Sequence, residues 1–447
     1  MTYEEFLISK IDIAEQTGFE INDEDVNPIL KPHQKDAVKW AVKGGRRALF
    51  ESFGLGKTVQ ALEFCRIVTD KIGGKALIVC PLGVKQEFKH DAVKLLGLDE
   101  PEYVRNMDEV RAADTNILLT NYERVRDGDI DPTYFAATPL DEASVLRSFG
   151  SKTYQTFLDK FKGVKYKLVN TATPSPNKFK ELIHYAGYLE VMDTGQALTR
   201  FFKRDSTKAN NLTLYPEKEN EFWLWVSSWA LFITKPSDLG YDDTGYDLPP
   251  LKINYHEINV DHKKAGTDKF GQYKLIRDAA LSLVDASREK RDSIDDRVEK
   301  MCEIVKESPA DKFILWHDLE AERHAIKKAL PETVDIYGSQ DIDIREKRVI
   351  DFSNGKTRLF ATKKELSGSG CNFQKYCHRA IFLGIDYEFN DFIQAIHRIY
   401  RFLQTEEVVI DIIYTESERE ILRVLKEKWK QHDYMTEKMI SIVKKYG

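Results

Sequence analysis

The apolar positions of this chain fall into short unbroken runs that end in turn residues. ALFES, running into FGLGKT, KALIVCP (75–81), NILLTNYE (116–123) and YKLVNTATP (166–174) are each too short for a helix. Between them lie stretches with helical spacing, over 34–48, which ends in Gly44-Gly45, and over VQALEFCRIVTDKI. Strands that are apolar on both faces are covered on both faces, so the alternation predicts a parallel sheet flanked by helices. A second region of the same kind begins near residue 311. FILWHD (313–318), VDIYG (334–338), TRLFAT (357–362), RAIFLG (379–384) and EVVIDIIYT (407–415) are the strands, with AERHAIKKAL, IREKRVIDFSNG and FNDFIQAIHRIYRF as helices between them.

The pattern divides the 447 residues into an α/β lobe at 1–175, a middle stretch at 176–250, a second α/β lobe at 251–415 and a lysine-rich helical tail at 416–447. The middle stretch carries Trp223, Trp225 and Trp229 and reads as a helical insertion that ends in the linker YDDTGYDLPPL. Two readings of it stay open: a protrusion packed on itself, or exposed aromatics that contact DNA or a partner, with Arg200, Lys203, Arg204 and Lys208 nearby.

At 42% hydrophobic and 31% charged residues the chain has the apolar content for sizeable cores. A net charge of −6 excludes a general polycation, so contact with nucleic acid needs a local basic cleft. No run approaches a membrane span, and the opening MTYEEFLISK has acids where a signal peptide would have bases. Cys65, Cys80, Cys302, Cys371 and Cys377 are scattered and form no zinc-like pairs, which predicts free thiols in a reducing cytoplasm.

Gly54-Leu55-Gly56-Lys57-Thr58 lies between a predicted strand and a predicted helix. There backbone N–H groups face phosphate oxygens, and glycines let the backbone approach them. Lys57 would reach the β and γ phosphates of ATP, and the Thr58 hydroxyl would ligate magnesium. Glu51 stands where the usual pattern has its first glycine. Asp141-Glu142-Ala143-Ser144 follows Pro139-Leu140 rather than a clear apolar strand. Of this carboxylate pair, Asp141 would position the metal and Glu142 would orient or deprotonate the attacking water. Thr171 and Thr173 end the third strand, where hydroxyls can link the acids to the other lobe. In the second lobe Gln394, His397, Arg398, Arg401 and Gln404 are read on one helix, with Arg398 and Arg401 three apart on one face. A pair of guanidinium groups suits a γ-phosphate. Gly368–Gln374 is a glycine-rich turn after a strand, and Thr362 and Lys363 beside it are candidates to touch nucleic acid.

Taken in order, these segments resemble the motifs of superfamily-two helicases, and within them the Swi/Snf-like DNA translocases. KPHQKDAVKW resembles the adenine-contacting segment, with Gln34 as its glutamine, and FESFGLGKT resembles motif I. ALIVCPLGVKQEF and LLTNYERV are similar to motifs Ia and Ib, which places Pro81, Thr120 and Asn121 among the nucleic-acid contacts. DEAS, TATP, FILWHDLEAE, ATKKELSGSGCNFQ and QAIHRIYRFLQ resemble motifs II to VI, with Gln394 on the nucleotide side. The flavour is similar to phage and mobile-element DEAD/DEAH-type helicases. Ser52, Ser144, His397 and Leu403 depart from the usual residues without removing an ATPase group.

The resemblance implies two tandem RecA-like lobes, with ATP and magnesium bound by the first and the arginines supplied by the second. It implies a DNA-dependent ATPase that tracks DNA, duplex in preference to single strands, in the cytoplasm of a bacterium or phage-infected cell and without a membrane. Relatives of this flavour are fused to or encoded beside methyltransferases, so a methyltransferase or nuclease partner is a further expectation. Rival readings are a non-motor module with ATP as a structural switch, the ATPase subunit of a DNA modification or restriction system, and a P-loop phosphotransferase for a small substrate.

Overall fold

A computed structural model describes residues 13–175, 178–204, 212–259, 290–367 and 372–446. The chain divides into two compact units, Met1–Asp243 with Gln431–Gly447, and Thr244–Lys430.

The first unit is built on β1 (Arg46–Glu51), β2 (Ala76–Val79), β3 (Glu102–Tyr103), β4 (Ile117–Thr120), β5 (Ala137–Leu140), β6 (Tyr166–Asn170) and β9 (Ala230–Ile233), in the spatial order β3-β4-β2-β5-β6-β1-β9. Every pairing in this sheet is parallel. The unbroken apolar runs have the expected cause. Ala48, Phe50, Leu77, Val79, Leu118 and Val169 pack into one core, and their neighbours Leu49, Ala76, Ile78, Ile117, Leu119 and Leu168 pack into another. Successive side chains point to opposite faces, so a strand covered on both sides must be apolar throughout.

Two elements go beyond the sequence reading. Residues 137–140 form a buried strand at the centre of the sheet, although Pro139 has no N–H to give the ladder. Its pairing to β2 is registered at Ala76↔Ala137 and Val79↔Leu140, and burial on both faces outweighs the missing hydrogen bond. The middle stretch carries the expected helices, Leu182–Tyr188, Thr194–Phe201 and Glu219–Ser227. It also supplies a hairpin of β7 (Phe202–Arg204) with β8 (Leu212–Leu214), and the strand β9 that pairs with β1. Trp223, Trp225 and Trp229 are buried, with Trp225 stacked on Phe201 and edge-on to Trp229. The tryptophans are not exposed, and neither do they form a protrusion packed on itself: they share the core of the first lobe with Ala48, Phe50 and Leu77, Trp229 lying edge-on to Phe50 of β1. Met435, Met439 and Ile442 of the last helix lie in the same core.

The second unit holds a parallel sheet of β10 (Leu251–Ile258), β11 (Phe313–Trp316), β12 (Val334–Asp335), β13 (Leu359–Thr362), β14 (Arg379–Phe382) and β15 (Val408–Thr415), in the order β10-β15-β14-β11-β13-β12. The same division of faces recurs. Ile314, Trp316 and Phe360 enter one core, and Phe313, Leu315 and Leu359 the other. The architecture is therefore two RecA-like parallel-sheet lobes with helices on both faces, followed by the helix Arg419–Tyr446. No helix among the described residues is long and apolar enough to cross a membrane.

Candidate active site

In the first lobe the candidate residues sit at the carboxyl ends of adjacent strands, where open α/β sheets bind ligands. β1 runs into the loop 52–56, and the helix Lys57–Ile72 starts at Lys57. Gly54 and Gly56 have φ of 86° and 90°, left-handed values that a side chain would make costly. A Cβ on Gly56 would lie 2.3 Å from Nε2 of Gln34. Gln34, on the helix Pro32–Gly44, donates from that nitrogen to the Leu55 carbonyl at 2.8 Å and accepts from the Lys31 N–H at 2.9 Å. The candidate adenine-side glutamine thus also fixes the loop 52–56.

The Lys57 ammonium donates to the carbonyls of Glu51 (2.7 Å) and Ser52 (3.1 Å). Thr58 follows it, half-buried in the first helical turn, whose N–H groups have no side-chain cap. Beneath the loop Gln60 donates to the Glu51 carboxylate at 2.8 Å and to the Leu55 carbonyl at 3.2 Å. Burial pushes the Glu51 carboxyl up to about 7, against the opposing pull of Lys57 and Gln60. Glu51 and Gln60 were not singled out as functional from the sequence. The one signal was an acid where a glycine is usual.

Asp141 and Glu142 leave the end of β5. The Asp141 N–H donates to the Val79 carbonyl at 2.9 Å, and its own carbonyl accepts from the Tyr122 hydroxyl at 2.6 Å. The Asp141 carboxyl is buried and held well above the usual carboxylate range. Burial is the larger cause and the neighbouring Glu142 the next, while Lys57 pulls the other way. Lys57 and the first acid therefore lie within electrostatic reach of each other. Glu142 has φ 49° and ψ 47°, a left-handed backbone that costs a non-glycine residue about 1–2 kcal/mol. Thr171 and Thr173 are buried at the end of β6, the Thr173 N–H on the Thr171 hydroxyl at 3.2 Å.

The residues suit a magnesium nucleotide. Gly54 and Gly56 keep the loop backbone free of side chains, Thr58 and Asp141 are hard oxygen donors, and buried Glu51 Oε1, Gln60 Oε1 and Asn170 Oδ1 lack hydrogen-bond partners among the described residues. No group of three or more His, Cys, Asp or Glu that could hold a metal occurs among the described residues. An ion held here would draw further ligands from water and phosphate, as magnesium does.

The nucleic-acid candidates of this lobe also end strands. Pro81 follows β2 and is half-buried. The Thr120 hydroxyl is buried on the Val104 carbonyl at 2.8 Å. Asn121 accepts from the Tyr103 hydroxyl at 3.2 Å and donates to Glu123 at 2.7 Å.

In the second lobe the helix Phe389–Ile396 carries Gln394 but ends before the arginines. The expectation that Arg398 and Arg401 share a helical face is corrected: both lie on the turn that follows. The physical reason is a set of competing hydrogen bonds. The Arg398 carbonyl accepts from the Phe373 N–H at 3.1 Å, and the Gln404 amide donates to the Ile399 and Cys377 carbonyls at 3.0 and 3.1 Å. Leu403, at φ 69°, reverses the chain. Arg398 is buried and its Nε has no partner among the described residues, while Arg401 donates to the Asn372 side-chain oxygen. Thr362 ends β13 with its buried hydroxyl on the Lys363 carbonyl at 3.1 Å, and Lys363 faces Glu320 at 3.6 Å. Of the glycine-rich turn, residues 368–371 lie outside the described residues, and Gln374 donates to the Phe402 carbonyl.

Residues 33–213 match a family model described as the SNF2-related domain. The match spans about two fifths of the chain and contains the loop at 54–58 and the acids at 141–142. A solved structure described as the Sulfolobus solfataricus SWI2/SNF2 ATPase core in complex with dsDNA is similar over 95% of this chain and 97% of its own length, at 19% identity and a TM-score of 0.43. That likeness is too distant to carry an argument about function. No curated protein matches the chain.

Proposed function

We propose that this chain is an ATP hydrolase that uses turnover to move along DNA. The observation that carries the reading is the placement of Lys57 and Asp141 after strands β1 and β5 at the carboxyl edge of one parallel sheet, inside the segment that matches the SNF2-related domain.

In this reading Gly54, Gly56 and Lys57 hold the phosphates, and Gln34 takes the adenine. Thr58 and Asp141 would hold magnesium, which would supply charge neutralisation for the phosphates. Glu142, turned by its left-handed backbone, orients and deprotonates the attacking water. The motif order assigns Arg398 and Arg401 the role of supplying positive charge to a transferring phosphoryl group, and Gln394 that of supporting the nucleotide. Groups in this role contribute on the order of 10³–10⁵ in rate. Pro81, Thr120, Asn121, Thr362 and Lys363 mark the strand ends assigned to DNA, duplex in preference to single strands. The order of the motifs along the sequence is what points to DNA. A grip on phosphates makes binding sequence-independent and salt-sensitive.

ATP turnover measured with duplex DNA, single-stranded DNA and RNA side by side tests the proposal. Stimulation by DNA, lost in Lys57→Ala and Glu142→Gln, is expected. Full DNA-stimulated turnover in Lys57→Ala would overturn it, and turnover indifferent to every nucleic acid would point to a small-substrate phosphotransferase.

A further inference from the structure

The strained Glu142 is tied on both sides. Before it, the Asp141 carbonyl takes the Tyr122 hydroxyl. After it, Arg147 Nε donates to the Ser144 carbonyl at 2.8 Å. The Arg147 carbonyl in turn accepts from His184 at 2.5 Å, which makes Nδ1 the protonated ring nitrogen. His184 sits on the helix Leu182–Tyr188, buried against Phe149 and Tyr154. Its own carbonyl accepts from the Tyr154 hydroxyl at 3.2 Å, and that hydroxyl also meets Thr194 Oγ1 at 3.0 Å. Two helices, Lys152–Lys160 and Leu182–Tyr188, thus meet at the turn that follows the acid pair, and Thr194 of a third, Thr194–Phe201, braces Tyr154. The next residue, Tyr185, places a buried hydroxyl with no partner among the described residues in electrostatic reach of Arg147, Glu181 and Glu142, with its ring edge-on to Phe50 of β1.

We propose that His184 is a positioning residue for ATP hydrolysis, holding the Ser144–Arg147 turn so that Glu142 keeps its left-handed backbone. The inference rests on the ATPase reading above. A group that orients a catalytic residue without touching substrate acts on turnover more than on ground-state binding. The donor is specific: Asn at this position can present an N–H where Nδ1 stands, whereas Gln carries its amide one carbon further out.

The test is steady-state turnover of the full chain with magnesium ATP and duplex DNA, for wild type, His184→Gln and His184→Asn, alongside thermal melting. The expectation is a kcat lower by roughly tenfold in His184→Gln at little changed KM, with His184→Asn close to wild type. Wild-type kcat in both variants, or an equal loss in both, overturns the inference while the ATPase reading stands. Wild-type chain with no turnover overturns that reading and this inference with it. If His184→Gln does not fold, Tyr154→Phe carries the same test, because it removes the hydroxyl shared by His184 and Thr194. A lower kcat at unchanged KM supports the inference, and wild-type kinetics overturns it.

Discussion

The Lys57 ammonium donates to the carbonyl oxygen of Glu51 at 2.7 Å, which places it against its own loop. Its two carbonyl partners, Glu51 and Ser52, belong to the loop that the lysine itself closes, and the residue is half-buried. Lys57→Ala is expected to abolish ATP turnover while changing unfolding free energy by less than about 1 kcal/mol. Chemical denaturation run beside the turnover assay checks this; a large loss of stability would make the activity loss uninformative.

Glu51 beneath the same loop titrates at about 7 instead of its ordinary 4.5 because burial penalises its charge. The folded state holds this proton more tightly than the unfolded chain. The stability that comes from the protonated form is full below pH 4.5 and is lost as pH rises to about 7. Glu51→Gln should then raise stability at pH 8 by up to about 3 kcal/mol and leave it little changed at pH 4. Melting temperatures across that range decide it, and an equal change at both pH values would refute the buried-charge account.

Gln404 anchors the arginine turn through four bonds. It donates to Ile399 and Cys377, and it accepts from the Thr405 and Glu406 N–H groups, both at 2.9 Å. Gln404→Ala leaves buried backbone groups unmet and is expected to cost about 2 kcal/mol. It should also lower kcat if the turn presents Arg398 and Arg401 to phosphate. A variant as stable and as active as wild type would show that the turn is held elsewhere.

Lys364 lies between two acids, 2.8 Å from Asp386 and 3.2 Å from Asp318, and Lys290 contacts both acids as well. Burial works to raise the Asp318 carboxyl, but Lys364 and Lys290 outweigh it and hold it far below the ordinary 3.8. Its contribution is present above pH 3.8 and is lost as pH falls through the folded value. Lys364→Met removes half of the compensating charge and should cost about 3 kcal/mol at pH 7, with the deficit shrinking in acid. Urea midpoints at pH 7 and pH 3 test both the size and its direction.

Much of this molecule was legible in the sequence because the determinants are local. A run such as ALIV reads as a doubly covered strand from its composition alone, and Gly54, Gly56 and Lys57 read as a phosphate loop from their spacing between strand and helix. Other features depend on partners far along the chain. Pro139 argued against a strand at 137–140, yet β2 and β6 on either side bury it as one. The helix that carries Gln394 has apolar spacing through Tyr400, but Phe373 and Gln404 take the carbonyls that would continue it, and it stops at Ile396. β9, the burial of the Thr120 hydroxyl and the approach of His184 to the acid turn arise in the same way. Periodicity reports which face of an element is buried. Which hydrogen-bond partners and neighbouring strands meet that face is decided only when distant segments pack.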